Sequence, residues 1–474
     1  MRKLTIKQMA PFLVLCAVAV AAMFSSPAAD YVPGAEAQYN TADIAWVLVS
    51  AALVFLMTPG LAFFYGGMVH RKNVISTMIK SVVAAGVVGV LWIVVGFSLA
   101  FGESMNGIIG NPMTYLFYNG VKSSAPWPAA STIPLTLFSL FQLMFAIITP
   151  GLVVGAVAER IRFTAYILFI ALFSLLVYAP LAHWSWHPEG FLAVMGAWDF
   201  AGGTVVHISA GCAALAGALV LKRRKSHLER KEIPPANVPY VLIGTGLLWF
   251  GWFGFNAGSA VGATPLAVNA FGTTNTAAAA AGLAWMFFDV IKGKKPSVLG
   301  FCIGAVVGLV AITPAAGFVG IPQSIIIGVV GALISNIAVS IKQKSTLDDT
   351  LDVFPCHGIG GMVGMLMTGI FAAPLVHGIE GGPQGWFYGN FAFFFTQLKA
   401  MAIVVAYAFS VSWLIFKFID FILPLRVTSE EEEIGLDYTQ HSEKYVQGTL
   451  LVTPGNSTNG KYDDVEKETE VVNF

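Results

Sequence analysis

Runs of about 20 apolar residues without a charged side chain recur along this chain, and they restrict its fold more than any other feature. Eleven apolar spans follow the first segment, and some of them include a charged residue, such as Lys80 or Lys399. They cover residues 43–69, 76–101, 131–157, 162–182, 200–221, 238–258, 274–290, 298–315, 322–341, 356–373 and 393–421. Because each run can cross a bilayer as a helix, the sequence predicts an all-α polytopic membrane protein with eleven transmembrane helices.

The composition supports this class. Only 11% of the residues are charged and 56% are hydrophobic, whereas soluble domains carry about 25% charged residues. The net charge is zero, so the charge balance indicates no nucleic-acid partner. The four cysteines lie far apart and form no CxxC pair, which argues against a zinc site or a disulfide framework.

The first segment has a different pattern. Three basic residues within the first seven positions precede a short apolar stretch at 11–24, and small residues follow. This layout is typical of a cleavable signal peptide, here residues 1–28, with cleavage after Ala28 or as late as Ala37. The alternative is an uncleaved first helix, which the shortness of the apolar stretch disfavours.

The connections between the runs alternate in charge. Basic residues follow the first, third, fifth, seventh and ninth runs, whereas Lys122 is the only basic Lys or Arg in the alternate connections. By the positive-inside rule, the N-terminus is outside and the tail at 426–474 is cytoplasmic. The tail is acidic and polar, and its last part, 454–474, has the composition of a disordered segment.

Two histidines within the apolar runs occupy similar positions. His207 lies in the fifth run and His357 in the tenth; each follows an aspartate (Asp199 and Asp352) and precedes small residues. Because five runs separate them, the two units have opposite topology, and such repeats place a site near the bilayer midplane. The predicted units are a first inverted repeat at 43–221, a second at 238–373, a last helix at 393–421 and the tail.

Each of these polar residues has a structural and a functional interpretation. A lone intramembrane histidine can simply tie helices together, but an adjacent pair can share one proton and pass it on. Such a pair suits a small polar molecule that loses its water inside a narrow pore. Asp199 precedes a helical run, where a carboxylate caps free N–H groups, and this role is compatible with a position near an entrance for cations. Asp352 is predicted to cap the start of the tenth run in the same way.

The stretch from His183 to Glu189 has two histidines four residues apart. A metal site is disfavoured here, because Pro188 ends a helix and no glutamate follows the first histidine as in a zinc hydrolase motif. Its tryptophans either belong to an interfacial belt or form an aromatic face for a cation. Phe145 and Phe255 are by default packing residues, and periodicity does not single them out.

Several motifs together resemble one family. TPGLAFFYGGMV (58–69), GLVVGAVAERIRF (151–163), WDFAGGTVVHISAG (198–211), WFGFNAGSA (252–260) and DVFPCHGIGG (352–361) are similar to motifs of the ammonium transporter family, in the family's order. The tail stretch EEEEIGLDYTQHSEKY resembles the family's cytoplasmic region. The resemblance covers most of residues 43–445 and is closest to the bacterial or archaeal Amt type of the Amt/Mep/Rh superfamily.

This resemblance implies a trimer of eleven-helix subunits, each with its own pore. It also implies roles for particular residues. Trp186, Phe145 and Ser259 match the outer ammonium-recruitment site, with Asp199 beneath it; Phe145 and Phe255 match the phenylalanine gate; His207 and His357 match the pore histidines; and Trp252 matches a pore-lining position. Pro355 and Cys356, before the second histidine, depart from the family pattern and put the local helix geometry and pore width in question.

The function implied by the resemblance is ammonium transport across the inner membrane for nitrogen uptake. Ammonium would bind outside, lose its proton and cross as ammonia, with the histidines as a proton relay. The expected partners are ammonium or methylammonium, two further copies of the chain, membrane lipid and a PII-type regulatory protein at the tail; no enzyme activity, cofactor or metal is expected. The alternatives are an ammonium sensor that signals through its tail, an intramembrane enzyme, for which no nucleophile motif is present, and conduction of carbon dioxide.

Overall fold

The computed structural model describes residues 6–24, 39–121, 125–231, 233–379 and 381–445, and these residues are mostly helical. Each of the eleven predicted runs coincides with a helix. Within the described residues, nine helices are long and apolar enough to cross a membrane. The seventh and eighth runs are not among the nine, because the seventh is rich in alanine and polar residues and the helix of the eighth has only 15 residues. The chain is therefore a multi-pass membrane protein.

The first half of the chain ends at the fifth run. Its first helix holds most of the apolar stretch of the predicted signal peptide, and the cleavage positions at Ala28 and Ala37 lie outside the described residues. The elements in order are α1 (Ile6–Ala22), α2 (Thr41–Met68), α3 (Val74–Leu91), α4 (Phe97–Phe101), the antiparallel strands β1 (Ser104–Met105) and β2 (Ile109–Gly110), α5 (Leu135–Val157), α6 (Phe163–Phe173), α7 (Ala179–Trp186), α8 (Phe191–Val194) and α9 (Ser209–Leu221).

The second half contains the remaining long helices and the part of the tail that is described. Its elements are α10 (Lys225–Leu228), α11 (Val238–Gly258), α12 (Pro265–Ile291), α13 (Val298–Ile312), α14 (Ile321–Lys344), α15 (Gly360–Phe371), α16 (Pro374–His377), α17 (Phe391–Ile422), α18 (Ser429–Ile434) and α19 (Leu436–His441). In the described part of the chain, four wider π-helical turns lie within or before the long helices, at Trp92–Gly96, Ser174–Tyr178, Gly203–Ile208 and Phe354–Ile359.

The core of the bundle consists of helices that are apolar on every side. Most residues of α5, α9 and α13 are buried, as expected for helices without a polar face. The outer helices α2, α11, α12, α14 and α17 surround them and expose large apolar side chains, among them Phe55, Phe250, Phe287 and Phe418. This distribution suits contact with lipid rather than with water.

Helix α12 differs from its prediction. The seventh run was predicted to begin at residue 274, yet α12 begins at Pro265 behind the N-cap Thr264 and includes the Asn/Thr cluster at 272–276. The polar side chains of α12 bond to neighbouring segments: Thr273 Oγ1 donates to the Ala316 carbonyl over 2.7 Å. Because these groups are satisfied within the protein, they do not interrupt the helix.

The loops with the basic clusters share one end of the bundle, which we call the basic end. Here Arg224 lies between two carboxylates, 2.6 Å from Glu159 and 2.8 Å from Asp348. Burial alone would raise the pKa of Asp348, but its hydrogen bonds to Arg224 and the charge of Arg160 hold that pKa well below its usual range. This network connects the loops after α5, α9 and α14.

The described part of the tail is docked on the basic end. Helix α18 begins with a capping box between Thr428 and Glu431, and Glu431 also forms a bidentate pair with Arg162. In α19, the carboxylate of Asp437 accepts hydrogen bonds from the N–H groups of Ile75 and Ser76 at the start of α3. The predicted disordered part of the tail lies outside the described residues.

Candidate functional site

A cavity opens at the end of the bundle opposite the basic end. It measures about 350 Å³, and we call it the aromatic cavity. Its lining includes the aromatic rings of Trp127, Phe145 and Trp186 together with Asp199 and Ser259. The indole N–H of Trp186 donates to the Asp199 carbonyl over 3.1 Å, which fixes the ring beside the carboxylate.

Two phenylalanine rings close the floor of the aromatic cavity. Phe145, on α5, and Phe255, on α11, have ring centroids 4.2 Å apart, and both are almost completely buried. Phe145 also meets Trp186 edge to face, with centroids 6.0 Å apart. Phe145 lines the aromatic cavity and Phe255 lines the space beneath it, so the ring contact separates the two spaces.

The space beneath the phenylalanines is a narrow chamber. Its free volume is about 10 Å³, which is room for about one water-sized molecule. Apart from two imidazoles and the Trp252 indole, its walls are aliphatic or phenyl groups. The indole N–H of Trp252 is bonded to Thr313 Oγ1 over 2.9 Å, so Trp252 presents its ring rather than its polar group.

The two imidazoles are those of His207 and His357. Their Nδ1 atoms are 3.4 Å apart, and both residues are buried. For this contact one Nδ1 must donate and the other accept, so the pair carries complementary tautomers or shares one additional proton. His207 Nε2 is buried and has no hydrogen-bond partner among the described residues, so a residue that lines the apolar chamber carries an unpaired polar atom.

Each histidine lies in a π-helical turn whose first backbone N–H groups donate hydrogen bonds to a carboxylate. Asp199 accepts hydrogen bonds from the N–H groups of Gly202, Gly203 and Thr204, at 2.8, 2.7 and 2.6 Å, and from the Thr204 hydroxyl. Gly202 has φ +114°, a conformation that favours glycine. The predicted capping role of Asp199 is confirmed by these bonds, and the cap sets where the turn with His207 begins.

The second turn is held in the same way by Asp349. Its carboxylate accepts from the N–H groups of Val353 and Phe354, at 3.1 and 2.7 Å. Burial raises the pKa of Asp349 to about 6, while the charge of Lys342 and these N–H groups lower it. The prediction that Asp352 caps this helix is wrong: Asp352 has φ +59° and pairs with Lys342 at 2.8 Å.

Close backbone contact brings the two histidine turns together. A methyl group added at Gly211, one turn after His207, would lie 2.3 Å from the Cα of Gly358. Only glycine, which has no Cβ atom, allows the two backbones to approach this closely. The glycines that follow both histidines therefore set the distance between the two imidazole rings.

A third space opens toward the basic end. It measures about 350 Å³ and is lined by Tyr65, Asp352, Cys356 and His357 among others. His357 lines both this cavity and the chamber, so its ring lies between them. A row of spaces therefore runs from the aromatic cavity, past the phenylalanines and the histidines, to the basic end.

All the residues predicted from the resemblance lie along this row. The structure brings together Trp186, Phe145, Phe255, Ser259, Asp199, His207, His357 and Trp252. Away from it, His183 bonds to the Ala100 carbonyl and to Ser104 Oγ, so both of its ring nitrogens are used within the protein. Sequence reasoning missed Asp349, although it precedes His357 by the same eight positions that separate Asp199 from His207.

The arrangement defines a class: a multi-pass membrane protein with a narrow apolar passage that contains two histidines. Residues 45–446 match the profile of the Ammonium Transporter Family, and the chain belongs to that family.

The chain aligns with known relatives over nearly the whole length of those relatives. The chain is 45% identical over 401 residues to "Ammonium transporter Amt1" of Archaeoglobus fulgidus, covering 85% of this chain and 98% of that protein. It is 46% identical over 411 residues to an ammonium transporter of Bacillus subtilis, covering 86% and 99%. Among solved structures, Saccharomyces cerevisiae Mep2 matches with a TM-score of 0.80 and 35% identity, covering 89% and 95%.

Proposed function

We propose that the protein transports ammonium: it binds the ion in the aromatic cavity, removes one proton and conducts ammonia through the chamber, while the histidine pair relays the proton. The observation that carries this proposal is the His207–His357 contact inside a chamber that has room for about one small molecule. Family membership supports the choice of ammonium as the substrate.

The aromatic cavity has the chemistry to recruit a cation. The rings of Trp186 and Phe145 offer cation–π attraction, worth about 2 kcal/mol when the site is partly desolvated. Ser259 Oγ donates its proton to the Phe255 carbonyl over 2.8 Å, so its oxygen lone pairs remain to accept. Ammonium has only N–H donors, and the hydroxyl of Ser259 is therefore oriented to accept from it.

The passage below the cavity excludes a bare ion. The transfer of an unpaired charge into apolar surroundings costs a large amount of free energy. The transfer of neutral ammonia costs far less, because it loses far less hydration free energy. Ammonium can become neutral by giving up a proton, but potassium cannot. The contact between Phe145 and Phe255 must open briefly to let ammonia pass, which a rotation of either ring would achieve.

The histidine pair provides the polar partners within the chamber. His207 Nε2 can accept from ammonia or donate to it according to its tautomer, and the Nδ1 contact with His357 lets a proton pass from one ring to the other. His357 borders the basic-end cavity, where the proton and ammonia can recombine in water.

The same proposal covers topology and assembly. The signal peptide is cleaved, eleven helices span the inner membrane, the basic end is cytoplasmic, three copies assemble, and a PII-type protein contacts the docked tail. The inverted halves at 43–221 and 238–373 are supported by the matched eight-residue spacing between capping aspartate and histidine, Asp199 with His207 and Asp349 with His357.

Uptake of labelled methylammonium into vesicles that contain the purified protein tests the proposal. We expect uptake that excess ammonium inhibits and excess potassium does not, and about tenfold weaker competition by ammonium in Trp186→Leu, since a cation–π contact of about 1–2 kcal/mol is lost. Trp413→Leu, a tryptophan on the exposed side of α17, is the matched control. Tight binding of ammonium without uptake would contradict transport and favour the sensor.

A further inference from the structure

The aromatic cavity is much larger than the ion that we propose it recruits. Its volume is about 350 Å³, whereas that of the chamber beneath the Phe145–Phe255 contact is about 10 Å³. A water-sized molecule, such as ammonium, needs only about 10–15 Å³ of such free space. A molecule that fills the cavity is therefore too large to enter the passage below it.

One face of α5 leads from the floor of the cavity toward its outer end. Phe145, Gln142 and Phe138 follow one another on this face at intervals of three and four residues, and all three line the cavity. Since an α-helix rises by about 1.5 Å per residue, Phe138 lies roughly 10 Å further out along α5 than Phe145. The cavity thus has an inner level at Phe145 and an outer level at Phe138.

The outer level is formed around Trp127. Its ring stacks on that of Phe138, with centroids 5.3 Å apart and an interplanar angle of 11°. It also meets the rings of Phe101 and His187 edge to face, with centroids 5.3 Å apart in both contacts. Trp127 is 8% exposed and lines the cavity, so these contacts hold an indole ring in a fixed position in the cavity wall.

Hydrogen-bond acceptors belong to the inner level. Ser259 Oγ donates to the Phe255 carbonyl over 2.8 Å and keeps its lone pairs to accept. Gln142 is 9% exposed, and its amide oxygen is buried without a hydrogen-bond partner among the residues that the structure describes. An unpaired buried acceptor costs free energy until a donor reaches it. The inner level therefore suits a group with several N–H donors, and the outer level suits an apolar body.

We propose that the aromatic cavity also binds a primary organic ammonium ion with an aromatic body, its ammonium group at Ser259 and Gln142 and its ring against Trp127. A pocket with mostly apolar walls and a few polar groups is the usual form of a small-molecule site. Because such an ion cannot enter the chamber, it occupies the entrance and competes with the transported substrate. The inference rests on the proposed function for the position of the ammonium group, and it adds a ligand class and the residue that selects it.

Isothermal titration calorimetry of the purified full chain tests this binding without requiring transport. We expect phenylbutylammonium to bind at least about tenfold more tightly than butylammonium, because its phenyl ring is buried at the outer level. Phenylbutyltrimethylammonium has the same body and charge but no N–H donor. It should bind more weakly than phenylbutylammonium, since the acceptors of Ser259 and Gln142 then stay unpaired.

Replacing Trp127 tests the outer level. Trp127→Leu should lower the preference for phenylbutylammonium over butylammonium about fivefold, whereas Trp127→Phe keeps an aromatic ring and should keep most of it. Trp413→Leu, which removes an exposed tryptophan of α17, is the matched control and should show the wild-type preference. In vesicles, phenylbutylammonium should inhibit uptake of methylammonium and should not itself be taken up.

The outcomes separate this proposal from the proposed transport. Equal affinity of wild type for phenylbutylammonium and butylammonium would overturn it, as would an unchanged preference in Trp127→Leu. Uptake of labelled phenylbutylammonium would also overturn it, because the ion would then pass the chamber instead of occupying the entrance. If methylammonium uptake were absent while Trp127→Leu still lost the preference, the transport proposal would fail and this site would stand.

Discussion

Replacing Asp199 by alanine tests whether this carboxylate organises the first histidine turn. Asp199 is 9% exposed, and its carboxylate accepts from three backbone N–H groups and one hydroxyl. A hydrogen bond to a charged group contributes about 1.5–3 kcal/mol, and an orphaned buried donor loses a similar amount. Because water in the aromatic cavity can reach part of the site, we count each of the four donors at about 1 kcal/mol, the low end of the cost of an unsatisfied buried donor, and expect Asp199→Ala to lose about 4 kcal/mol of stability.

The Asp199→Asn variant distinguishes the contribution of the capping hydrogen bonds from that of the negative charge. The amide oxygen can keep the bonds to Gly202 and Gly203, but the amide nitrogen cannot accept from Thr204. We therefore expect this variant to lose about 2 kcal/mol, half the effect of alanine. Methylammonium uptake should be abolished in Asp199→Ala, because the turn that carries His207 loses its start, and reduced but measurable in the asparagine variant.

Asp43 provides the matched control for this experiment. It is similarly buried near the same end of the bundle, but its carboxylate accepts one backbone hydrogen bond, from Ala263 at 2.7 Å. We expect Asp43→Ala to lose about 1–2 kcal/mol and to retain uptake. Denaturant titration in mixed micelles measures the stabilities. If Asp199→Ala were no less stable than Asp43→Ala, the four hydrogen bonds of the cap would contribute no more than the single bond of Asp43, and the reasoning would be refuted.

Three further perturbations test the chamber and its supports. Gly211→Ala forces apart the two histidine turns and should abolish uptake at a loss of about 2–3 kcal/mol, whereas Gly86→Ala, with open space at its Cβ, should do neither. Phe255→Ala should widen the chamber and admit a potassium current across membranes that contain the variant; an unchanged current would contradict the gate. Burial raises the pKa of Asp349 to about 6, so its neutral form is favoured on folding and wild-type stability should fall by about 2–3 kcal/mol as pH rises from 4 to 6. Asp349→Asn should remove that slope in a pH series of denaturant titrations, and a slope that persisted would contradict the assignment.

Much of the fold was predictable from the sequence, because apolar length is a local property. All eleven runs lie in helices. The docking of the tail was not predicted, because it depends on contacts such as that of Arg162 with Glu431, which join segments far apart in the sequence. The start of α12 was missed, since its threonines and asparagines look like a loop until their partners on other segments are known. Such long-range partners cannot be seen in a local pattern.

The candidate site was predictable only in part. His207 and His357 stand out as imidazoles in apolar runs, but Phe145 and Phe255 are two among 36 phenylalanines and were found through the resemblance. Asp349 was overlooked in favour of Asp352, which is closer to His357, because the π-helical turn that separates cap from histidine leaves no periodic signal. The equal spacing of eight residues in both halves was the available clue.

The central claim is that ammonia and its proton pass the histidine pair separately. The most direct test is the current across membranes that contain the purified protein on an ammonium pulse, with His207→Ala beside wild type and potassium as the control ion. We expect a wild-type current with ammonium and none with potassium, and loss of the ammonium current in His207→Ala. An undiminished ammonium current in the variant that still excluded potassium would contradict the relay, since charge would then cross without His207.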